Sequence, residues 1–300
     1  MSREARARRE SWRNESDLGR PGVVEPRARQ RWLRYVRPLV RLAFRPRFEG
    51  VENLPSQGPY LLVSNHSGAG NAEIMSLVIF FLERHEEMGP TAAMVHPLSF
   101  RGWPQGTWMR RLGAIPSTYA AAEAALAQRV SVLVMPGGDH EAQRPIWQAN
   151  KVDFAGRKGF LRIARQAKVP IVPMGISGSH YTAPILWRSD LILPRVLIFP
   201  ALAGMKRYAL TLAGAIGVIL LYLWNPAHNL WLTTFLAWLW LVLPFATLPW
   251  IPWPIRVRIG KPIPSAEFLA DDEEATLDRA YDRVESAVQE LVLSPPAPSA

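Results

Sequence analysis

The stretch Tyr60-Leu-Leu-Val-Ser-Asn-His-Ser-Gly-Ala-Gly-Asn-Ala-Glu73 passes from an unbroken apolar run, through a histidine and two glycines, into an acid. Tyr60 to Ser64 has the length and chargelessness of a strand buried on both faces, and Ala72 to Glu83 predicts the helix that follows it. His66 then lies just past the carboxyl end of a buried strand, where an open α/β sheet places its ligands. Gly68 and Gly70 let the backbone bend tightly there and let another group approach it.

The same alternation continues outward from this unit. Ala92 to His96, Ser131 to Met135, Val169 to Met174 and Val196 to Phe199 read as further strands, with helices predicted at Thr107 to Leu112, Tyr119 to Gln128 and Gly156 to Ala167. Arg256 to Gly260 reads as a last strand. Asp271 to Leu293 reads as a helix with acids in its first turn and an apolar stripe of Leu277, Ala280, Tyr281, Val284, Val288 and Leu291. The expected fold is α/β, a mostly parallel central sheet with helices on both faces.

Thirty-five Lys and Arg against 25 Asp and Glu leave a net charge of +10, which favours anionic partners. The chain has no Cys, so disulfide scaffolds, thiolate metal sites and cysteine nucleophiles are excluded. Residues 1 to 26 read as a disordered basic arm. Residues 27 to 47 hold eight Arg and no acid, with Trp32, Val36, Leu39, Val40 and Ala43 at helical spacing. That pattern predicts an amphipathic helix, kinked at Pro38, lying on a membrane surface; the alternative is a helix packed on the domain with a solvated basic face. The arm lacks interleaved aromatics, so nucleic acid is not expected as a partner.

Tyr208 to Ile255 is a run of 48 residues without one Lys, Arg, Asp or Glu, and it holds six of the 12 Trp. It divides at Asn225-Pro-Ala-His-Asn229. The first half, Tyr208 to Trp224, would reach about 26 Å as a helix, near the lower limit for crossing a hydrocarbon core. Flanking cations Lys206, Arg207, Arg256 and Arg258 predict a hydrophobic hairpin that spans or re-enters the membrane with both ends in the cytoplasm. A hairpin buried in a soluble core is the competing reading. The expected organisation is therefore an arm at 1–26, a surface helix at 27–47, an α/β domain at 48–207 and 256–293, a membrane hairpin at 208–255 and a tail at 294–300.

Several residues carry candidate chemistry. His66 suits a general base toward a hydroxyl, with a carboxylate orienting the ring. Pro136-Gly137-Gly138 suits a strand-end turn that binds polar groups of a substrate, with Asp139 and Glu141 beside it. Arg144, Lys151, Arg157 and Lys158 follow closely enough to be candidate phosphate contacts. Arg101, Arg110 and Arg111 are weaker candidates. His140 beside Asp139 has no second His at ligand spacing, so no metal is assigned.

Four short motifs, in order and at predicted strand ends, resemble those of the glycerolipid and lysophospholipid acyltransferases. Asn65-His66 matches the first, an Asn-His followed by four residues and Asp, except that Asn71 stands at the Asp position. Leu112-Gly-Ala-Ile-Pro116 resembles the second. Met135-Pro-Gly-Gly-Asp-His-Glu141 resembles the third in the form found in the branch similar to diacylglycerol acyltransferases. Val169-Pro-Ile-Val-Pro173 matches the fourth. The resemblance covers Phe48 to about Pro200 and resumes at Arg256 to Pro262.

The resemblance implies a membrane-associated O-acyltransferase without a cofactor. Its donor would be acyl-CoA or acyl carrier protein, its acceptor a hydroxyl of a lysophospholipid or partial glyceride, and its location the cytoplasmic face of the inner membrane. It implies His66 as base and places Gly137, Gly138, Asp139, Glu141 and Pro173 near substrate. An amide at Asn71 can orient an imidazole but cannot stabilise an imidazolium, so Glu73, the nearest acid, is the expected partner of His66, with Asn71 as the competing assignment. A non-catalytic lipid-binding protein that keeps the fold is the alternative function.

Overall fold

The computed structural model describes residues 20–68, 71–100, 105–190, 192–198, 207–225, 228–268 and 273–295. Most of the basic arm, Gly70, Arg101, Lys206 and the end of the tail lie outside these residues. Seven strands form one sheet: β1 (Arg47–Glu49), β2 (Leu61–Ser64), β3 (Thr91–Val95), β4 (Ile115–Pro116), β5 (Ser131–Val134), β6 (Ile171–Ser177) and β9 (Arg256–Ile259). Their spatial order is β1-β9-β6-β2-β5-β3-β4. The run from β6 to β4 is wholly parallel, while β9 joins β6 antiparallel and carries β1 parallel to itself. A parallel pair needs a long crossover, and the helices between these strands supply it.

Alternation along the strands divides the core between two faces. Leu61 and Val63 pack with Val132, Ile171, Ala121, Leu161 and Val284 on one face, beneath helices Tyr119–Ala127, Gly159–Ala167 and Glu273–Leu293. Leu62, Leu133 and Val172 pack on the other, beneath helices Arg37–Phe44 and Ala72–Glu83. Within the long C-terminal helix the buried stripe is Leu277, Ala280, Val284, Val288 and Val292, so Val292 is buried where the spacing favoured Leu291.

The helix at 26–44 comes in three pieces, Pro26–Arg31, a wide π-helical turn Trp32–Val36 and Arg37–Phe44. Pro38 donates no amide hydrogen to the preceding turn, which accounts for a local widening just ahead of it. Trp32, Val36, Val40 and Ala43 pack on the domain, whereas Leu39 stands exposed beside Tyr35 and Leu42. The expected apolar stripe is thus spent on tertiary packing. What faces outward is a mixture of arginines and large apolar side chains.

Three expectations are corrected. The strand expected at Val196 to Phe199 is not found: Val196 closes a short helix, Ile192–Val196, and Ile198 after it turns left-handed at φ 60°, which no strand continues through, while Phe199 lies outside the described residues. An unforeseen ribbon of β7 (Ile185–Ser189) and β8 (Tyr208–Thr211) pairs antiparallel, outside the main sheet, and takes the first residues of the charge-free segment. The third concerns a membrane crossing. The segment does form a hairpin, of helices Leu212–Trp224 and Leu230–Val242, with 13 residues in each. Each reaches only about 20 Å, and no helix among the described residues is long and apolar enough to cross a membrane. Thr211 and Asn229 cap the two helices at their starts, and the second ends ahead of Pro244, which cannot continue it.

The hairpin is not a buried core either. Leu223, Trp224, Leu230 and Trp231 at its tip are 77%, 71%, 64% and 86% exposed. Its base is well anchored: the Tyr208 hydroxyl donates to the Leu241 carbonyl, and the Trp240 indole donates to Ala213 across the two helices at 3.3 Å. Gly217 is required at that crossing, because a Cβ there would lie 2.2 Å from the Trp240 ring nitrogen.

Candidate active site

Two loops at the carboxyl ends of β2 and β6 are locked together before any chemistry is considered. The Asn65 side chain, fully buried, accepts from Ile176 N–H at 2.7 Å and donates to Ile176 O at 2.9 Å. This amide therefore closes a two-way clamp on β6 and holds the residue that follows it, His66, at a fixed height above the sheet. Ser67 is buried too, its hydroxyl 3.4 Å from His180 Nδ1.

Glu73 enters from the first turn of the Ala72–Glu83 helix and is completely buried. Its Oε1 lies 2.7 Å from His66 Nδ1. Neither atom meets another hydrogen-bonding group, and the contact departs from the line of the ring N–H, so it is a close ion-pair contact more than an ideal hydrogen bond. Asn71 precedes the helix in the left-handed region at φ 56°, a conformation Asn tolerates, and is exposed with no capping bond from its side chain. The structure thus brings Glu73, not Asn71, to His66. Glu73 reaches the ring from inside the first turn of the helix, two residues past the position where the motif has Asp.

Electrostatics follow from this arrangement. Burial acts to lower the His66 pKa, but the Glu73 carboxylate overcomes it and holds the imidazole above its ordinary 6.5. Burial likewise acts to raise Glu73, and its contacts with His66 and the Ser179 hydroxyl hold it below 4.5. The ring is 18% exposed, so Nε2, the nitrogen Glu73 does not engage, is the one available to a substrate.

The Gly-Gly loop after β5 supports the same histidine. Glu141, in the short helix Gly138–Ala142, accepts from the His66 backbone N–H at 2.9 Å and from Asp153 N–H at 3.0 Å. Arg144 donates to Glu141 at 3.3 Å and is almost wholly buried, with Nε and Nη1 unpartnered. Burial pushes the Glu141 carboxyl up to about 7, against the pull of Arg144 and of the two amides. Gly137 is required because a Cβ would stand 2.1 Å from Glu141 Cγ. Gly138 takes a φ of 48°.

The remaining expected site residues divide. Arg157 donates to the carbonyls of Pro136 and Gly137, each at 2.9 Å, and pairs with Asp139 at 3.2 Å, so it braces the loop. Asp139 also pairs with Arg207 at 3.0 Å, at the entrance to β8. Lys151 is exposed and faces Asp153 at 3.6 Å. Lys158 pairs with Asp278 of the C-terminal helix. Pro173 lies within β6, in register with Val63, and its carbonyl accepts from Gly260. His140 contacts Asp153 at 3.1 Å, and among the described residues no group of His, Asp and Glu could hold a metal ion. Arg110 hydrogen-bonds Phe100 O, and Arg111 pairs with Glu25, so both serve local structure.

Sequence reasoning missed Ser179 and His180. Both are buried in the turn after β6, which runs to Ser177, three residues beyond the expected end. Gly178 was the available signal: it takes a φ of 101°, and a Cβ there would meet the Pro254 carbonyl at 2.2 Å. Burial and the nearby Arg144 lower the His180 pKa to about 4, so its ring is neutral.

A family model described as Acyltransferase matches residues 45–177. Uncharacterized proteins of Mycobacterium tuberculosis and Mycobacterium leprae are each 25% identical over 268 residues, 86% of this chain and 64% and 63% of theirs. The chain therefore spans a little under two thirds of the length of these relatives. Phytyl ester synthase 2, chloroplastic, of Arabidopsis thaliana is 27% identical over 147 residues, covering 47% of this chain and 20% of that one. Among solved structures, the 1-acyl-sn-glycerophosphate acyltransferase PlsC from Thermotoga maritima matches at 18% identity and a TM-score of 0.47, over 89% of this chain and 83% of that one. The part of the chain that matches the Acyltransferase family model, residues 45–177, is the part that holds His66, Glu73 and the Gly137-Gly138 loop.

Proposed function

We propose that this protein transfers a fatty acyl group from a thioester, acyl-CoA or acyl carrier protein, to a hydroxyl of a lysophospholipid or partial glyceride at a membrane surface. The observation that carries the reading is the His66–Glu73 contact of 2.7 Å at the carboxyl end of β2, with Nε2 left for an acceptor. His66 takes the hydroxyl proton as the oxygen attacks the thioester carbonyl. The tetrahedral intermediate expels the thiolate, and the proton passes from His66 to sulfur. Glu73 stabilises the imidazolium between these steps. The thioester carbonyl is already activated, so the proposed reaction draws on no cofactor and no metal.

The surface supports an interfacial location, proposed as the cytoplasmic face of the inner membrane. Exposed Trp, Leu and Phe side chains of the hairpin are of the kind that enter the headgroup boundary, and the outward face at 27–45 joins Arg27, Arg31, Arg34 and Arg41 to Tyr35, Leu39 and Leu42. Helices of about 20 Å fit insertion into one leaflet. The test is acylation of a lipid acceptor by purified protein, dependent on the thioester and abolished in His66→Ala. Lipid binding without any such transfer would favour the non-catalytic reading.

A further inference from the structure

We propose that Ser179 is a positioning residue for the same reaction, holding the Glu73 carboxylate in the orientation that faces His66. The inference rests on the acyltransferase reading and extends the pair His66–Glu73 to a chain of three, Ser179–Glu73–His66.

Glu73 has two carboxylate oxygens in a fully buried position, and each meets one group: Oε1 faces His66, while Oε2 accepts from the Ser179 hydroxyl. A buried carboxylate with an unsatisfied oxygen is costly, and one hydrogen bond alone leaves it free to rotate about its last bond. With both oxygens engaged, rotation breaks two contacts together.

Ser179 is itself fixed. Its carbonyl accepts from Thr182 Oγ1 at 2.7 Å, and Gly178 before it has no room for a side chain. The His66 loop runs against it so closely that a Cβ on Gly68 would stand 3.0 Å from the Ser179 backbone and hydroxyl. The turn after β6 and the loop after β2 thus meet at Ser179, with the Asn65 clamp on Ile176 three residues upstream. Because the carboxylate comes from within the helix and not from its entrance, it lies deep against β6, where a donor from that strand's end can reach it.

The charged and titratable groups around His66 are Glu73 from the Ala72–Glu83 helix, Glu141 and Arg144 from the loop after β5, and His180 beside Ser179. Glu73 and Glu141 raise the imidazole pKa and Arg144 lowers it. His180, neutral near pH 7, adds no charge there.

The experiment compares Ser179→Ala and the near-isosteric Ser179→Cys, alone and combined with Glu73→Gln. The readouts are kcat, KM for the thioester, the acid limb of the pH profile, and the His66 titration by NMR of histidine-labelled protein. Ser179→Ala should lower kcat about 10-fold or more, with KM little changed, and should move both the acid limb and the His66 titration to lower pH. The thiol, a weaker donor, should fall between Ser and Ala. In the Glu73→Gln background Ser179→Ala should add little, since a residue acting through Glu73 has nothing left to position.

An unchanged His66 titration in folded Ser179→Ala, or a loss that adds in full to that of Glu73→Gln, would overturn the proposal. Failure of the wild-type protein to transfer any acyl group would overturn the reaction instead, and the NMR titration would still decide the role of Ser179.

Discussion

Replacing Glu73 by Gln removes one charge from a position with no solvent exposure and leaves the shape almost unchanged. The amide can still accept from Ser179 or be accepted by it, so the fold should survive, at a cost of about 1–3 kcal/mol for imperfect pairing of a buried group. Chemistry should suffer far more. Without the carboxylate the imidazolium has only Glu141 to favour it, while burial and Arg144 oppose it. By analogy with loss of the charged partner in a serine protease triad, turnover should fall by roughly 100- to 10,000-fold. The pH dependence carries a second signature. A base acts when neutral, so wild-type kcat/KM should rise with pH through a His66 pKa above 6.5, and in Glu73→Gln that limb should shift to lower pH. The pair also contributes stability with a defined window. His66, raised in the folded state, gives stability that is present below 6.5 and lost as pH climbs through its folded pKa. Glu73, lowered, gives stability that is present above 4.5 and lost on acidification. The assay is thioester-dependent acyl transfer from pH 5 to 9, with melting curves alongside. Near-wild-type turnover in Glu73→Gln together with a large loss in Asn71→Ala would refute this reasoning.

Gly137→Ala should lower the melting temperature and cost about 1–3 kcal/mol, since its Cβ would overlap Glu141 Cγ at 2.1 Å; a melt within 1 °C of wild type, read roughly against the size scaling, would exclude that overlap. His180 should titrate near 4 by NMR; because its folded pKa is depressed, it should cost the protein stability progressively as pH falls from 6.5 toward 4. Serine at Leu223, Trp224, Leu230 and Trp231 together should weaken binding to lipid vesicles at low and high salt alike, whereas serine at Arg27, Arg31 and Arg34 should weaken it mainly at low salt. Unaltered sedimentation of the first variant with vesicles would place the membrane contact elsewhere. Substitution is the suitable test at the N-terminal helix, because deleting it would uncover Leu62, Val172 and Phe80, against which Val40 and Phe44 pack.

Local signals determined a great deal here. The Tyr60-to-Glu83 unit is legible because a parallel strand buried on both faces must be continuously apolar, and its helix begins within a few residues of the glycines. The helix observed at Ala72–Glu83 has the expected bounds, and β2, β5 and β9 fall inside their expected stretches. The hairpin is legible as well, since 48 residues without a charge must avoid water or seek lipid. Its length in helix was not: chain punctuation by Thr211, Asn229 and Pro244 shortened both legs, and the leading residues had an alternative partner in β7 that no local pattern announces. The site shows the same division. The residue types, a histidine past a strand and an acid seven positions on, could be read from the chain. Which acid reaches the ring depended on the backbone at Asn71 turning left-handed and sending Glu73 inward. Ser179 reaches Glu73 from 106 residues away, brought there by β6 lying beside β2. Contacts of that kind belong to sheet order, and sheet order is set by how whole faces bury together.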